Sequence, residues 1–125
     1  MSTHPLASCE LNNGLSLYCL DQSTKIAADR WYICILVKMS IPVEKKWFKK
    51  EPMDDGQFQQ IVSVLGQKVD FLQKRERNFI SDDVKDQVIR KICNSAMEMG
   101  RTYCGNDDFA SKYILKAFAD QQRRR

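Results

Sequence analysis

The sequence predicts an α+β fold: a long antiparallel β-ribbon of two or three strands, followed by about three α-helices packed on one face. Two observations point there. Apolar residues recur at every second position from 31 to 43, then from residue 54 at intervals of three and four, the side-chain periods of a strand and of a helix. Strand-like segments come first and helix-like segments after, a segregation that suits α+β better than an alternating parallel sheet. The 125 residues, 43% hydrophobic and 29% charged, fit a single domain around one core, with residues 1–13 and 120–125 expected to be mobile.

Asn12-Asn13-Gly14 is a turn signal. Behind it Leu15, Leu17 and Cys19 alternate with Ser16 and Tyr18, so the first strand is expected over about 14–22. The polar stretch through Asp21, Gln22, Ser23, Thr24 and Lys25, then Ala27-Ala28-Asp29, reads as a connection. In the second strand Trp31, Ile33, Ile35, Val37, Met39, Ile41 and Val43 line one face. The other face is apolar in its first half, at Tyr32, Cys34 and Leu36, and then carries Lys38, Ser40 and Pro42. A strand apolar on both faces is normally covered on both, so residues 31–37 are expected to be sandwiched. Pro42 has no N–H for a ladder, which puts that end at an edge or at the limit of pairing. A weak third strand is read around Trp47 and Phe48. Since a lone two-stranded ribbon is marginal in water, helices are expected over one face and a second copy of the chain over the other, making a homodimer.

From residue 54, Phe58, Ile61, Val62, Leu65, Val69 and Leu72 fall on one face of a predicted amphipathic helix, with Gly66 tolerated inside it. A second helix is expected after Ser81, with Val84, Val88, Ile92, Ala96 and Met99 on its face, ending near Gly100 or Gly105. A third follows Asn106, carries Phe109, Tyr113, Ile114, Ala117 and Phe118, and frays into the terminal arginines.

Five cysteines at wide spacings, with no Cys-x-x-Cys, read as reduced thiols of a cytoplasmic protein rather than a disulfide or zinc framework. No apolar run approaches the roughly 20 residues of a membrane helix, so no membrane partner is expected. Residues 1–14 have neither the basic nor the apolar region of a cleaved signal. The single histidine, His4, is the sole candidate for the usual neutral-pH base, and no Gly-rich phosphate loop occurs. Hence no cofactor, metal or catalytic residue is assigned, and an enzyme is not expected. Three acidic pairs, Asp54-Asp55, Asp82-Asp83 and Asp107-Asp108, stand at expected helix starts, where carboxylates cap free N–H groups. Asp29-Arg30 beside Trp31 reads as a surface ion pair. Asp21-Gln22-Ser23 resembles the Asp-x-Ser start of the PilZ nucleotide-binding motif, but Ile26 replaces its glycine and no Arg-x-x-x-Arg precedes it.

Net charge is +4. Residues 1–43 are balanced, so the surplus lies in Lys45, Lys46, Lys49 and Lys50, in Lys74, Arg75 and Arg77, and in Arg123-Arg124-Arg125. The segment Lys45-Lys46-Trp47-Phe48-Lys49-Lys50 interleaves cations with aromatics, the chemistry of phosphate contact and base stacking. The expected function is a non-enzymatic interaction domain, homodimeric through ribbon and helices, with a further, unidentified protein partner. The alternative is a nucleic-acid-binding module whose polyanion contacts are Lys45, Lys46, Trp47, Lys49, Lys50, Arg123, Arg124 and Arg125.

Overall fold

In the computed structural model, which describes residues 5–49 and 53–124, one strand is paired with three of the other four. The elements run β1 (Ala7–Glu10), β2 (Ser16–Asp21), β3 (Thr24–Ala27), β4 (Arg30–Pro42), a 3₁₀ turn (Lys45–Phe48), α1 (Asp55–Leu65), β5 (Lys68–Ser81), a 3₁₀ turn (Asp82–Val84), α2 (Lys85–Met99), a π turn (Gly100–Cys104) and α3 (Phe109–Arg123). All strand pairs are antiparallel. β2 and β3 share one edge of β4, β1 lies outside β2, and β5 occupies the other edge of β4.

The expected ribbon is present. Its first arm is β2 and β3 together: after Asp21 faces Ile35, the Gln22 N–H donates to the Cys34 carbonyl at 2.8 Å and the Cys34 N–H donates to Ser23 Oγ at 3.0 Å. Thr24 then faces Tyr32 and Ala27 faces Arg30. Most of the stretch expected as a connection therefore extends the arm, and Ala28-Asp29 alone make the turn, a two-residue hairpin. At this end the Trp31 indole N–H donates to Asp82 Oδ1 at 2.6 Å and its ring takes Lys85 Nζ at 4.1 Å, tying β4 to the start of α2.

Three segments depart from the expectation. The helix over 54–72 ends at Leu65, because Gly66 at φ +83° closes it with its N–H on the Val62 carbonyl at 2.8 Å. Beyond it, β5 pairs with β4 from Pro42↔Lys68 to Arg30↔Ser81, with a bulge opposite Tyr32 where Phe79 sits at φ +59°. Val69 and Leu72 thus fit the helical spacing by coincidence and point to opposite faces of the sheet. Trp47 and Phe48 form a 3₁₀ turn rather than a third strand. Of the segments expected to be mobile, 7–10 is strand β1 and 120–123 is the last turn of α3.

The core lies on the odd-numbered face of β4. Ile33, Ile35, Val37, Met39 and Ile41 are wholly excluded from solvent, together with Leu17 and Cys19 of β2. Ile61 of α1, Ile92 and Ala96 of α2, and Ala110 and Ile114 of α3 join the same cluster, so the helices pack on one face. Each fully buried aliphatic side chain contributes roughly 1.5–3 kcal/mol.

Two glycines serve opposite ends. Gly66 has open space where a Cβ would go but a left-handed backbone; at Gly100 a Cβ would stand 2.5 Å from Leu17 Cδ2. We expect Gly66→Ala to cost about 1–2 kcal/mol through its backbone and Gly100→Ala to cost about 1–3 kcal/mol through overpacking. Urea unfolding reads both, and Leu17→Val should restore part of the loss in the Gly100 variant while leaving the Gly66 variant unrelieved.

Candidate interaction surface

Because the helices share one side of the sheet, the even-numbered face of β4 has no layer over it among the described residues. Register decides what that face carries. Leu20 stands opposite Leu36 and Tyr18 opposite Lys38; on the other side Leu36 faces Lys74 and Lys38 faces Leu72. The Leu6 N–H bonds the Cys19 carbonyl at 2.8 Å, which brings Leu6 alongside Leu20. Leu72, Leu6 and Tyr18 are 55%, 48% and 39% exposed, while Leu20 and Leu36 are half-buried. Lys38, Lys68 and Lys74 share this face with Asp70 and Glu76.

The sandwich expected over residues 31–37 is only partly supplied by the chain itself. Cys34 is buried, with Tyr32 and Leu36 half-buried, by sheet neighbours rather than by a second layer. The Tyr32 hydroxyl donates to Glu76 Oε2 beside Cys34. Glu76 accepting that proton holds the phenol above its ordinary range.

The basic–aromatic segment is built differently from a stacking platform. Lys45 pairs with Asp55, and Lys46 Nζ lies 3.7 Å from Glu44 and 4.7 Å from the Trp47 ring centre. The Trp47 indole N–H donates to the Pro42 carbonyl at 2.8 Å, Trp47 is half-buried and Phe48 is buried. Lys49 is exposed; Lys50 lies outside the described residues. Lys46, Trp47 and Lys49 border a groove of about 590 Å³ that is also lined by Asp107, Lys112 and Leu115 near the start of α3. Lys112 there pairs with Asp108 at 2.9 Å, so both signs line the groove.

Arg123 and Arg124 are exposed at the other end of α3, Arg123 on Asp120 at 2.7 Å; Arg125 lies outside the described residues. Arg123 lies roughly 12 Å along α3, at 1.5 Å per residue, beyond Leu115 at the groove. Lys74, Arg75 and Arg77 form a third group on β5. Sequence reasoning singled these three out by charge but did not place them on a strand, because it took 68–72 as helix. Gly66, followed by Val69 and Phe71 alternating with charged Lys68 and Asp70, was the available signal.

The remaining sequence candidates stay apart. His4 lies outside the described residues. Asp29 and Arg30 form an ion pair at 3.1 Å in the hairpin turn. Among the acidic pairs, a side-chain cap is made by Asp54, which accepts from the Gln57 N–H at 2.7 Å; Asp82 instead holds Trp31, and Asp108 holds Lys112. Among the described residues, no three of His, Cys, Asp and Glu gather as a metal site, and no helix is long and apolar enough to cross a membrane.

Cys19 and Cys104 are wholly buried and Cys93 nearly so. Burial, with Cys93 beside it, pushes the Cys19 thiol from 9.0 up to about 12, and burial raises Cys93 and Cys104 as well. The unfolded chain therefore releases these protons first, so stability contributed by the neutral thiols is full below pH 9.0 and falls as pH climbs toward 12. Iodoacetamide at pH 8 should leave Cys19, Cys93 and Cys104 unmodified in the native protein and alkylate them in urea, as read by peptide mass spectrometry. Alkylation of Cys19 at the same rate in both states would contradict its burial. In comparisons with known proteins, no family model, curated protein or solved structure matches the chain.

Proposed function

We propose that the chain is a non-enzymatic interaction domain whose first partner is a second copy of itself, laid against the even-numbered face of the ribbon. The observation that carries this reading is the group Leu6, Tyr18, Leu20, Leu36 and Leu72 on a face with no helix over it. A two-fold interface joins one patch to itself, so its charges must find opposite signs within that same patch. Lys38, Lys68 and Lys74 beside Asp70 and Glu76 meet that requirement. The five cysteines are free thiols, which suits a reducing, cytoplasmic setting.

Nucleic-acid binding through residues 45–50 and the terminal arginines draws less support. Its aromatic edge is engaged by Pro42, two of its lysines are paired with carboxylates, and Arg123 and Arg124 stand at the far end of α3. An oligonucleotide of mixed sequence tests it directly: binding that weakens steeply with salt would favour it over self-association.

Light scattering behind size exclusion should give twice the 14.5 kDa chain mass. The double variant Leu36→Lys/Leu72→Lys should return the mass to that of one chain with an unchanged far-ultraviolet spectrum. A wild-type mass that stays at one chain up to several hundred micromolar would rule the dimer out.

A further inference from the structure

β5 is an edge strand, and its outer side is open in the middle. None of its residues is buried, and among the described residues its sole strand partner is β4. Three hydrogen bonds fix which backbone groups look outward. The Gln22 N–H reaches the Cys34 carbonyl, so even residues of β4 bond toward β2 and β3; the Val43 N–H reaches the Gln67 carbonyl, so odd residues bond toward the β5 side. Odd residues of β5 therefore carry the ladder to β4, and even residues turn their N–H and C=O outward. The Tyr113 hydroxyl confirms this parity by donating to the outward Asp70 carbonyl at 3.0 Å.

The opening has two ends. Tyr113 occupies the Asp70 carbonyl at one, and Arg77 Nη1 takes the Glu76 carbonyl at 2.7 Å at the other, just before the bulge at Phe79. Between them Leu72 and Lys74 present N–H and C=O, and Glu76 presents its N–H. Register with β4 is unbroken from Lys68 to Arg77, so this stretch is a regular strand, the template on which an extended segment adds.

Charge says what kind of segment. Lys74, Arg75 and Arg77 flank the opening, and Arg75 is held in place by Gln73 at 3.0 Å and Ser95 at 3.0 Å. The single acid between residues 72 and 81 is Glu76, already engaged by Tyr32. A second β5 brought alongside would set cations against cations. We infer that the edge of β5 at residues 72–76 docks an extended, acidic segment of a partner protein as a sixth strand of the sheet. The charges that deter self-pairing there are the ones that select this partner. The inference uses the edge of the sheet, not its face, and stands independently of self-association.

The probe is a fluorescein-labelled ten-residue peptide of alternating glutamate and valine, compared with its lysine–valine counterpart by anisotropy on the full chain. Saturable binding of the acidic peptide, at least tenfold tighter than the basic one, is expected. Lys74→Pro removes an outward N–H while sparing the ladder to β4, and should weaken binding at least tenfold with an unchanged far-ultraviolet spectrum. Should that variant unfold, the acidic peptide N-methylated at alternate residues replaces it as the test and should bind at least tenfold more weakly. Leu20→Lys, on the face, should leave peptide binding unchanged. Equal binding of both peptides, or indifference to both backbone changes, would overturn the proposal.

Discussion

Everything in this fold answers to the dryness of one row of side chains. Ile33, Ile35, Val37, Met39 and Ile41 are fully excluded from water, and backbone that lies beneath them cannot leave its N–H and C=O groups unpaired without a cost of about 1–3 kcal/mol each. β4 therefore needs a partner on both edges along most of its length. The β2–β3 arm bonds its even residues and β5 its odd ones. That demand explains why residues 68–81 are a strand: the unpaired edge of β4 offers a long ladder, whereas helix would have had to continue through Gly66.

How much of this was legible follows from where local pattern and tertiary demand agree. The odd row of β4 is written as an unbroken alternation, and the faces of α2 and α3 as Val88, Ile92 and Ala96 and as Tyr113, Ile114 and Phe118, so both were readable. β5 was not, because Val69 and Leu72 continue the spacing set by Phe58, Ile61, Val62 and Leu65, and only the φ of Gly66 separates the two segments. β1 was hidden for a different reason. Four residues with the pattern Ala-Ser-Cys-Glu carry almost no propensity signal, and they are held by the edge of β2. Of the candidate site, the lysines of the connector were visible in sequence, but the burial of Phe48 and the bond from Trp47 to Pro42 depend on where β4 ends.

The basic surplus likewise changes meaning once placed. Among the described residues, Lys46 and Lys49 border the groove beside the first half of α3, Arg123 and Arg124 stand at its other end, and Lys74, Arg75 and Arg77 lie on another element. The roughly 12 Å along α3 between Leu115 at the groove and Arg123 exceeds the Debye length of about 8 Å at physiological salt, so these two groups do not add into one field. Each acts with its immediate neighbours: Lys45 with Asp55, Lys46 with Glu44, Arg123 with Asp120. Such exposed pairs contribute at most about 1 kcal/mol and serve mainly to moderate local charge. On β5 the cations are less fully balanced, and that is the place where the backbone is also open.

Face and edge of the same sheet thus offer different chemistry. The face presents leucines and tyrosine with both charge signs, and the edge presents unpaired amides ringed by cations. They meet at two residues. Leu72 and Lys74 direct their side chains to the face, opposite Lys38 and Leu36, and their amide groups to the edge. Side chain and amide of one strand residue point at right angles to each other, so a molecule seated on the face leaves the N–H and C=O of Leu72 and Lys74 open. The two surfaces are therefore separable in structure although they share two residues.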